Sequence, residues 1–493
     1  MASASSLYPY PNLIKNDVVS FPKIPFFSFH YKSSLFGSKF SNKLWFSLTE
    51  KTRSDRSKPL SSSISGSSSS HTFDVVIIGA GIIGLAVARQ FLTGSDLSVA
   101  VVDKAVPCSG ATGAGQGYIW MAHKTPGSEI WELALRSHQL WRMLAECLPE
   151  QGMDPQEQLG WKETGSLLIG RTPEELDALQ RRVKLLKDAG LRAEYLSASD
   201  LHVKEPALIV ENDSGAAFLP DDFKLDAQLT VDFILKGNRH FSSEGRYAEF
   251  FNDPVTSLLR SSNGEVVGVK AANNTLYGRK AIVVAAGCWS GSLMQELFKE
   301  AEFVLEVPVK PRKGHLLVLK NFNFLQLNHA QMEVGYVDHQ NATSLPNILT
   351  SEVSDDGETL SVSMTATMDT MGNLVLGSSR QFAGFSTEVE ESVIDGIWNR
   401  AKEFFPILRD RSLSEFTKSR EVRVGLRPYM PDGKPIIGPV PGLSNVLLAT
   451  GHEGGGIAMA LGTAEMIADM VLGKPEKINY APFAVQGRCV EKK

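Results

Sequence analysis

Three glycines stand in the spacing GxGxxG at Gly79-Ala80-Gly81-Ile82-Ile83-Gly84, and Asp103 follows Gly79 by 24 residues. The spacing acquires meaning from its flanks. Phe73-Asp74-Val75-Val76-Ile77-Ile78 is a short, β-branched run that reads as a strand, and an apolar helix is expected from Leu85 to about Leu92. Ser98 to Asp103 reads as a second strand, so the unit spans about 30 residues and implies a parallel pair. In such a unit Gly79 permits the tight turn, Gly81 lets a pyrophosphate reach the backbone, and Gly84 lets helix and strand pack closely. The helix start offers free N–H groups and partial positive charge to phosphates. A carboxylate at Asp103 accepts hydrogen bonds from ribose hydroxyls and repels a 2′-phosphate, which disfavours NADP.

A second glycine cluster lies near the other end of the chain. The strand Val446–Thr450 meets Gly451-His452-Glu453-Gly454-Gly455-Gly456, and a helix is expected from Ile457 to about Leu472. A helix start there stabilises negative charge on whatever it faces. Arg427, in Gly425-Leu426-Arg427-Pro428, is the leading candidate for binding an acidic substrate, because a guanidinium holds a carboxylate through two parallel hydrogen bonds. Arg420 and Arg423 are lesser candidates, Trp289 reads as packing, and His452 reads as a structural hydrogen bonder.

Several elements must hold these residues in place. A Gly-rich loop spans Ser109–Gly117, and helical spacing runs from about Gly127 to Leu148. Gly165–Gly170 reads as a strand, and Thr172-Pro173-Glu174-Glu175 starts a helix that stops at Gly190. Val266–Lys270 and Ala281–Ala286 are further strands, a mixed strand region covers about 307–380, and a helix from about Glu388 to Phe405 stops at Pro406.

Taken in order, these blocks resemble the glycine oxidase and D-amino-acid oxidase family, the DAO-like FAD-dependent oxidoreductases. The similarity covers about residues 72–475 and rests on Gly79–Gly84, Ser109–Gly113, Ala285-Ala286-Gly287-Cys288-Trp289-Ser290, Gly425–Pro428 with Pro431-Asp432-Gly433, and Gly451-His452 with Gly456-Ile457. The resemblance implies an α/β fold, with a Rossmann-like FAD-binding domain of the GR2 type interleaved with an α+β substrate domain on a mixed or antiparallel sheet. It puts Ile82 and Ile83 beside the pyrophosphate, Asp103 and Lys104 at the adenosine ribose, and Val255 at the adenine. It wraps Ala111, Thr112, Gln116, Gly117 and Tyr118 around the flavin side, adds Gly287 to the FAD site, and sets Gly451 through Ile457 at the flavin's pyrimidine end.

The implied reaction is hydride transfer from the Cα of a small amino acid to FAD, with dioxygen returning the flavin to its oxidised state and yielding peroxide. It needs no general base, and none is named. Two departures from the family bear on the substrate: Ser363–Asp369 has no aromatic residue, and Gly454 stands where some relatives have an arginine. Gly425 stands near the place of a flavin-linking cysteine in the sarcosine-oxidase branch, so FAD is expected to be non-covalent. A dehydrogenase that passes electrons to a quinone or protein carrier stays open, as does a flavin-binding scaffold of low turnover.

The chain of 493 residues implies two domains, and 43% hydrophobic with 21% charged residues is ordinary for a globular enzyme. Boundaries are expected at 1–70 for a leader; at 72–160, 220–300 and 415–475 for the FAD domain; at 161–219 and 301–414 for the substrate domain; and at 476–493 for a tail. The leader holds 20 serines and nine Lys/Arg against three acids, the composition of an organelle transit peptide. A chloroplast stroma destination is expected, with the mitochondrion second. The whole chain carries −5, which leaves residues 71–493 near −11 and argues against nucleic acid as a partner. No apolar run of about 18 residues is evident, so no transmembrane segment is expected. Cys108, Cys147, Cys288 and Cys489 fit neither a zinc site nor a disulfide framework, and a homo-oligomer stays open.

Overall fold

The computed structural model describes residues 69–298, 304–336 and 360–492. The serine-rich leader therefore lies outside the described residues, apart from Ser69 and Ser70. In chain order the main elements are β1 (Ser69–Ile78), α1 (Ile82–Gly94), β2 (Val99–Val102), α2 (Trp131–Cys147), β3 (Ser166–Gly170), α3 (Pro173–Asp188), β4 (Gly215–Leu219), α4 (Ala227–Arg239), β5 (Tyr247–Phe250) and β6 (Asn274–Val284). They continue with β7 (Lys310–Leu319), β8 (Ala330–Glu333), β9 (Ser361–Met368), β10 (Leu374–Arg380), α5 (Glu391–Lys402), β11 (Arg420–Tyr429), β12 (Ile436–Val440), β13 (Leu443–Thr450) and α6 (Gly456–Leu472).

The strands form two eight-stranded sheets. The first runs β12-β13-β6-β1-β2-β5, with Val266–Ala271 and Val255–Arg260 added beside β6. Its centre is parallel, as the strand–helix–strand reading requires: β1 pairs in parallel with both β2 and β6, and β6 with β13. The chain reaches β13 some 160 residues after leaving β6, so the two glycine-bearing strand ends come from opposite halves of the sequence. The second sheet runs β11-β7-β10-β9-β8-β3-β4 and ends at Glu194–Leu196. It is antiparallel except where β8 meets β3. It is therefore mixed, which is the sheet expected for the substrate domain.

Local chemistry accounts for the well-read boundaries. Thr172 caps α3 in a reciprocal capping box with Glu175, with Pro173 at the first turn, a device that stabilises by about 1 kcal/mol. Four boundaries differ from the sequence expectation. β1 begins at Ser69, two residues inside the expected leader, because Ser69 and Ser70 extend the ladder against Asn274 and Thr275. β11 falls within the segment expected for the FAD domain, yet it pairs along its whole length with β7 at the edge of the second sheet. Pro406 opens a short helix, Pro406–Arg409, rather than ending the preceding one, which stops at Lys402. The tail contributes a strand, Val490–Lys492, antiparallel to Val304–Glu306.

α6 also departs from expectation. With the turn before it, it runs over 20 residues, Glu453–Leu472, and an 18-residue window of that stretch has a mean hydropathy of 1.4, so it is long and apolar enough by length and composition to cross a membrane. Its packing accounts for that composition. Every residue from Ile457 to Asp469 is buried, and α6 packs against α1 and α2. Glu465 within it is paired with Arg136 at 2.8 Å and Lys477 at 2.6 Å, as a buried carboxylate requires.

Candidate functional site

The turn between β1 and α1 is shaped by its glycines. A Cβ on Gly79 would lie 2.3 Å from the Ala285 carbonyl oxygen, and one on Gly84 would lie 2.0 Å from the Gly79 carbonyl oxygen. Those two glycines let the helix and two strands touch. Gly81 differs: among the described residues a Cβ there would meet only Thr112 Oγ1 at 3.4 Å, an ordinary contact that does not demand glycine at this position. Its missing side chain leaves space toward the cavity. Gly81 begins α1 with no side-chain cap and no acid in the first turn, which leaves the helix start receptive to an anion. Asp103 braces the turn, accepting from the Ala80 N–H at 2.6 Å and the Ala105 N–H at 2.8 Å. The Ile82 N–H donates to Thr112 Oγ1 at 3.2 Å and ties the turn to the Ser109–Gly117 loop.

These parts line a cavity of about 440 Å³. Gly79, Gly81, Ile82, Ile83, Asp103, Lys104 and Val255 form one stretch of its wall. Ala111, Thr112, Gln116, Gly117, Tyr118 and Gly287 form the next, and His452, Glu453, Gly454, Gly456, Ile457 and Arg427 close it. Three expected site residues stand behind the wall. Gly84 packs α1 on β1, Gly451 packs against Met430, and Gly455 against Met459. Lys104 Nζ sits 3.8 Å over the Trp289 ring, which gives that tryptophan its packing role. Burial pushes the Cys288 thiol, also in the wall, up to about 12, where it is an inert neutral group. Tyr118 stacks on Trp120 at 4.3 Å and directs its hydroxyl to the Ala366 carbonyl at 3.1 Å, linking the loop to the second sheet.

A dinucleotide fits these residues. The open face of Gly81, the start of α1, and two buried polar atoms of wall residues without partners among the described residues, Gln116 Nε2 and Ser378 Oγ, all suit a large polar ligand.

The end of the cavity nearest the second sheet is charged. Arg312 on β7 and Arg427 on β11 are cross-strand partners. Arg427 lies across Gly314, where a Cβ would come 2.2 Å from Arg427 Nη1. Its Nη1 donates to the Ser379 carbonyl at 2.9 Å. Glu453 pairs with Arg312, and Arg380 sits 3.8 Å over the Tyr336 ring. Burial alone raises the Glu453 carboxyl, but Arg312, Arg427 and Arg380 outweigh it and hold the group down to about 2. Burial likewise raises the Tyr336 phenol, and Arg380 and Arg427 bring it below its usual value. Burial draws Arg427 below the usual arginine range, against the pull of Glu453.

His452 is a different case. It is 3% exposed, its Nε2 meets Thr463 Oγ1 at 2.9 Å, and burial lowers it to about 3. It is a neutral structural hydrogen bonder, as its sequence context indicates. Arg420 pairs with Glu391 and Arg423 with Glu421, and neither lines the cavity.

Sequence reasoning missed Tyr336, Arg312 and Arg380. Ser363–Asp369 carries no aromatic, and Tyr336 supplies one to the cavity from just beyond β8. No sequence periodicity marks it. For Arg312 a signal existed: Arg312, Gly314 and Leu316 alternate along β7, and Gly314 and Leu316 both line the cavity.

Comparison with known proteins agrees with this geometry. Residues 74–470 match the family described as DAO, FAD dependent oxidoreductase. A glycine oxidase of Geobacillus kaustophilus (strain HTA426) is 25% identical over 419 residues, covering 84% of this chain and 97% of that protein. The crystal structure of a glycine oxidase from Geobacillus kaustophilus superposes with a TM-score of 0.68 at 23% identity, over 85% of this chain and 99% of that one. The L-proline dehydrogenase of P. horikoshii shares the fold, with a TM-score of 0.66 at 18% identity over 84% and 96% of the two chains. With the match spanning both glycine clusters and Arg427, the chain belongs to the DAO family of FAD-dependent oxidoreductases.

Proposed function

We propose that the protein oxidises the C–N bond of a small amino acid, whether glycine, a D-amino acid or an N-methyl amino acid, with dioxygen as the final acceptor. The observation that carries the reading is the position of Arg427. Its guanidinium lies inside the cavity, flat across Gly314, with one N–H committed to the Ser379 carbonyl. The remaining donors suit the α-carboxylate of an amino acid. The glycine oxidase relative supports the substrate class and the acceptor.

FAD supplies the hydride acceptor. Gly81 and the start of α1 would hold its pyrophosphate, Asp103 its ribose, and the Ser109–Gly117 and Gly451–Ile457 segments its flavin end. Gly425 favours a non-covalent hold, since a Cβ there would come 2.7 Å from Ala114 Cβ and leaves no space for a linking cysteine. The chain's own work is orientation. Arg427 fixes the carboxylate so that the Cα–H faces the flavin, and Glu453 stays ionised and balances Arg312 behind it. The imine product leaves and is hydrolysed by water to a 2-oxo acid and ammonia, or methylamine where the substrate is an N-methyl amino acid. His452 takes no proton in this scheme, because burial keeps it neutral.

An anaerobic screen of glycine, sarcosine and D-amino acids for loss of flavin absorbance tests the reaction. Peroxide formation on admitting air tests the acceptor, and its absence would point instead to a quinone or carrier protein. If no amine bleaches bound flavin, the amino-acid reading is wrong. We also propose that the leader directs the protein to the chloroplast, a reading supported by its serine-rich, acid-poor composition. Import into isolated chloroplasts with removal of the leader would test it.

A further inference from the structure

We infer that Ser379, pinned by His315, is the positioning residue that sets the carboxylate-binding pose of Arg427. The inference rests on the amino-acid reading above and deepens it, by naming what fixes the guanidinium that would hold the substrate.

Arg427 works across a strand. It stands on β11, the Ser379 carbonyl that takes its Nη1 belongs to β10, and β7 runs between them. The two outer strands lie about 10 Å apart, and the side chain crosses that distance over Gly314. A backbone carbonyl inside a sheet is normally spent on the N–H of the neighbouring strand, so something must free this one.

The register shows how. Lys313 on β7 and Gln381, just past β10, exchange both backbone hydrogen bonds, at 2.8 and 3.1 Å. Leu316 pairs with Gly377, and the ladder runs on regularly from there. Between those two pairs β7 has two residues, Gly314 and His315, and β10 has three, Ser378, Ser379 and Arg380. The extra residue makes a β-bulge. Counted from the Lys313 pair, His315 falls opposite Ser379, where a regular ladder would join its N–H to the Ser379 carbonyl. Instead the His315 N–H donates to Ser379 Oγ at 2.9 Å. The hydroxyl stands in for the carbonyl, and the carbonyl turns to Arg427.

The hydroxyl is itself held. His315 Nδ1 lies 3.0 Å from it, and both residues are fully buried. Burial and the neighbouring Lys313 hold the imidazole below its ordinary value, so a neutral ring stands beside Arg427 without repelling it. Glu390, just before α5, ties the outer end of the bulge. Its carboxylate accepts from Lys313 Nζ at 2.6 Å and from Gln381 Nε2 at 2.7 Å, and its N–H reaches His315 Nε2 at 3.4 Å. Neither Ser379 nor His315 lines the cavity, so each acts through Arg427 rather than on a ligand.

The test uses the FAD-loaded protein, with steady-state kinetics on the amino acid that the anaerobic screen finds fastest and acetate titrated against the flavin spectrum. Ser379→Ala removes the stand-in acceptor and returns the carbonyl to His315. KM for the amino acid and Kd for acetate should each rise about 10-fold, with kcat within about 2-fold and FAD affinity unchanged. Ser379→Thr keeps the hydroxyl and should recover most of the loss. A double-mutant cycle separates positioning from general damage. In the Arg427→Ala background, Ser379→Ala should cost nothing further in kcat/KM. Wild-type KM and acetate binding in Ser379→Ala, or an undiminished further loss in the Arg427→Ala background, overturns the positioning role and leaves Arg427 in the site. Should Ser379→Ala fail to hold FAD, His315→Gln carries the test, since it keeps the backbone N–H and removes the ring's hold on the hydroxyl. Its KM should rise about 3-fold, and an unchanged KM overturns the role. If no carboxylate perturbs the wild-type flavin and no amino acid bleaches it, this inference falls together with the amino-acid reading.

Discussion

The two ends of the cavity bind charge by opposite means. At the Gly79–Gly84 end the groups offered are backbone N–H donors at a helix start whose N-cap, Gly81, has no capping side chain, with Thr112 Oγ1 taking the Ile82 N–H. The wall there is made close by small residues, and the bracing carboxylate, Asp103, reaches it from the next strand. At the other end Arg427 from β11 lines the wall beside Glu453, and Arg312 from β7 and Arg380 from β10 stand near that glutamate behind it. A backbone site recognises a group common to every dinucleotide, so it can be built once from local sequence. A side-chain site can be retuned one residue at a time, and in the proposed reaction that is the end that would set substrate choice.

Substitutions can break this division. The largest effect is expected from Arg427→Ala: kcat/KM for carboxylate substrates should fall about 1000-fold while flavin content is unchanged. Equal activity in that variant would remove Arg427 from the site. Gly81→Ala is the converse. Its Cβ meets only Thr112 Oγ1 at 3.4 Å, so the unfolding temperature of the cofactor-free protein should hold. FAD affinity should fall about 30-fold, because the methyl group occupies ligand space; flavin titration of the apoprotein measures it.

Gly314→Ala sharpens the contrast within the charged end. A methyl group 2.2 Å from Arg427 Nη1 must displace the guanidinium. KM for the amino acid should rise about 10-fold, with flavin binding kept. An unchanged KM would mean that Arg427 can work from another rotamer.

The smallest effect concerns stability. His452 is lowered from 6.5 to about 3, so the unfolded chain binds a proton there that the folded chain refuses. Its contribution is complete above pH 6.5 and is lost as the pH falls from 6.5 toward 3. Relative to wild type, His452→Gln should lose about 1 kcal/mol less between pH 6.5 and 5.5, measured by urea unfolding at the two values. An identical pH slope in both proteins would show that His452 is not held neutral.

Legibility differed between the ends for physical reasons. The strand, the turn and the helix that make the glycine end are contiguous, and each glycine's task follows from the spacing. Arg427 was legible because its block resembles a known family. Arg380 was not, because an arginine on an alternating strand reads the same whichever face it takes, and the alternation of Arg312 with Gly314 and Leu316 gained its meaning only once that face of β7 was known to meet the cavity. Tyr336 was not either, since its position follows from β8 pairing with β3 and β9.

By itself the sequence determined the parallel βαβ unit, the second helix start at Gly456 and the family to which both belong, because local turn chemistry and hydrophobic spacing specify such elements. Only the tertiary structure decided that β11 leaves the FAD-binding sheet to flank β7, that Gly314 makes room for Arg427, and that three guanidinium groups share one glutamate. Those outcomes depend on strand order and register between segments up to about 140 residues apart, and pairing over such distances leaves no periodic trace in the chain.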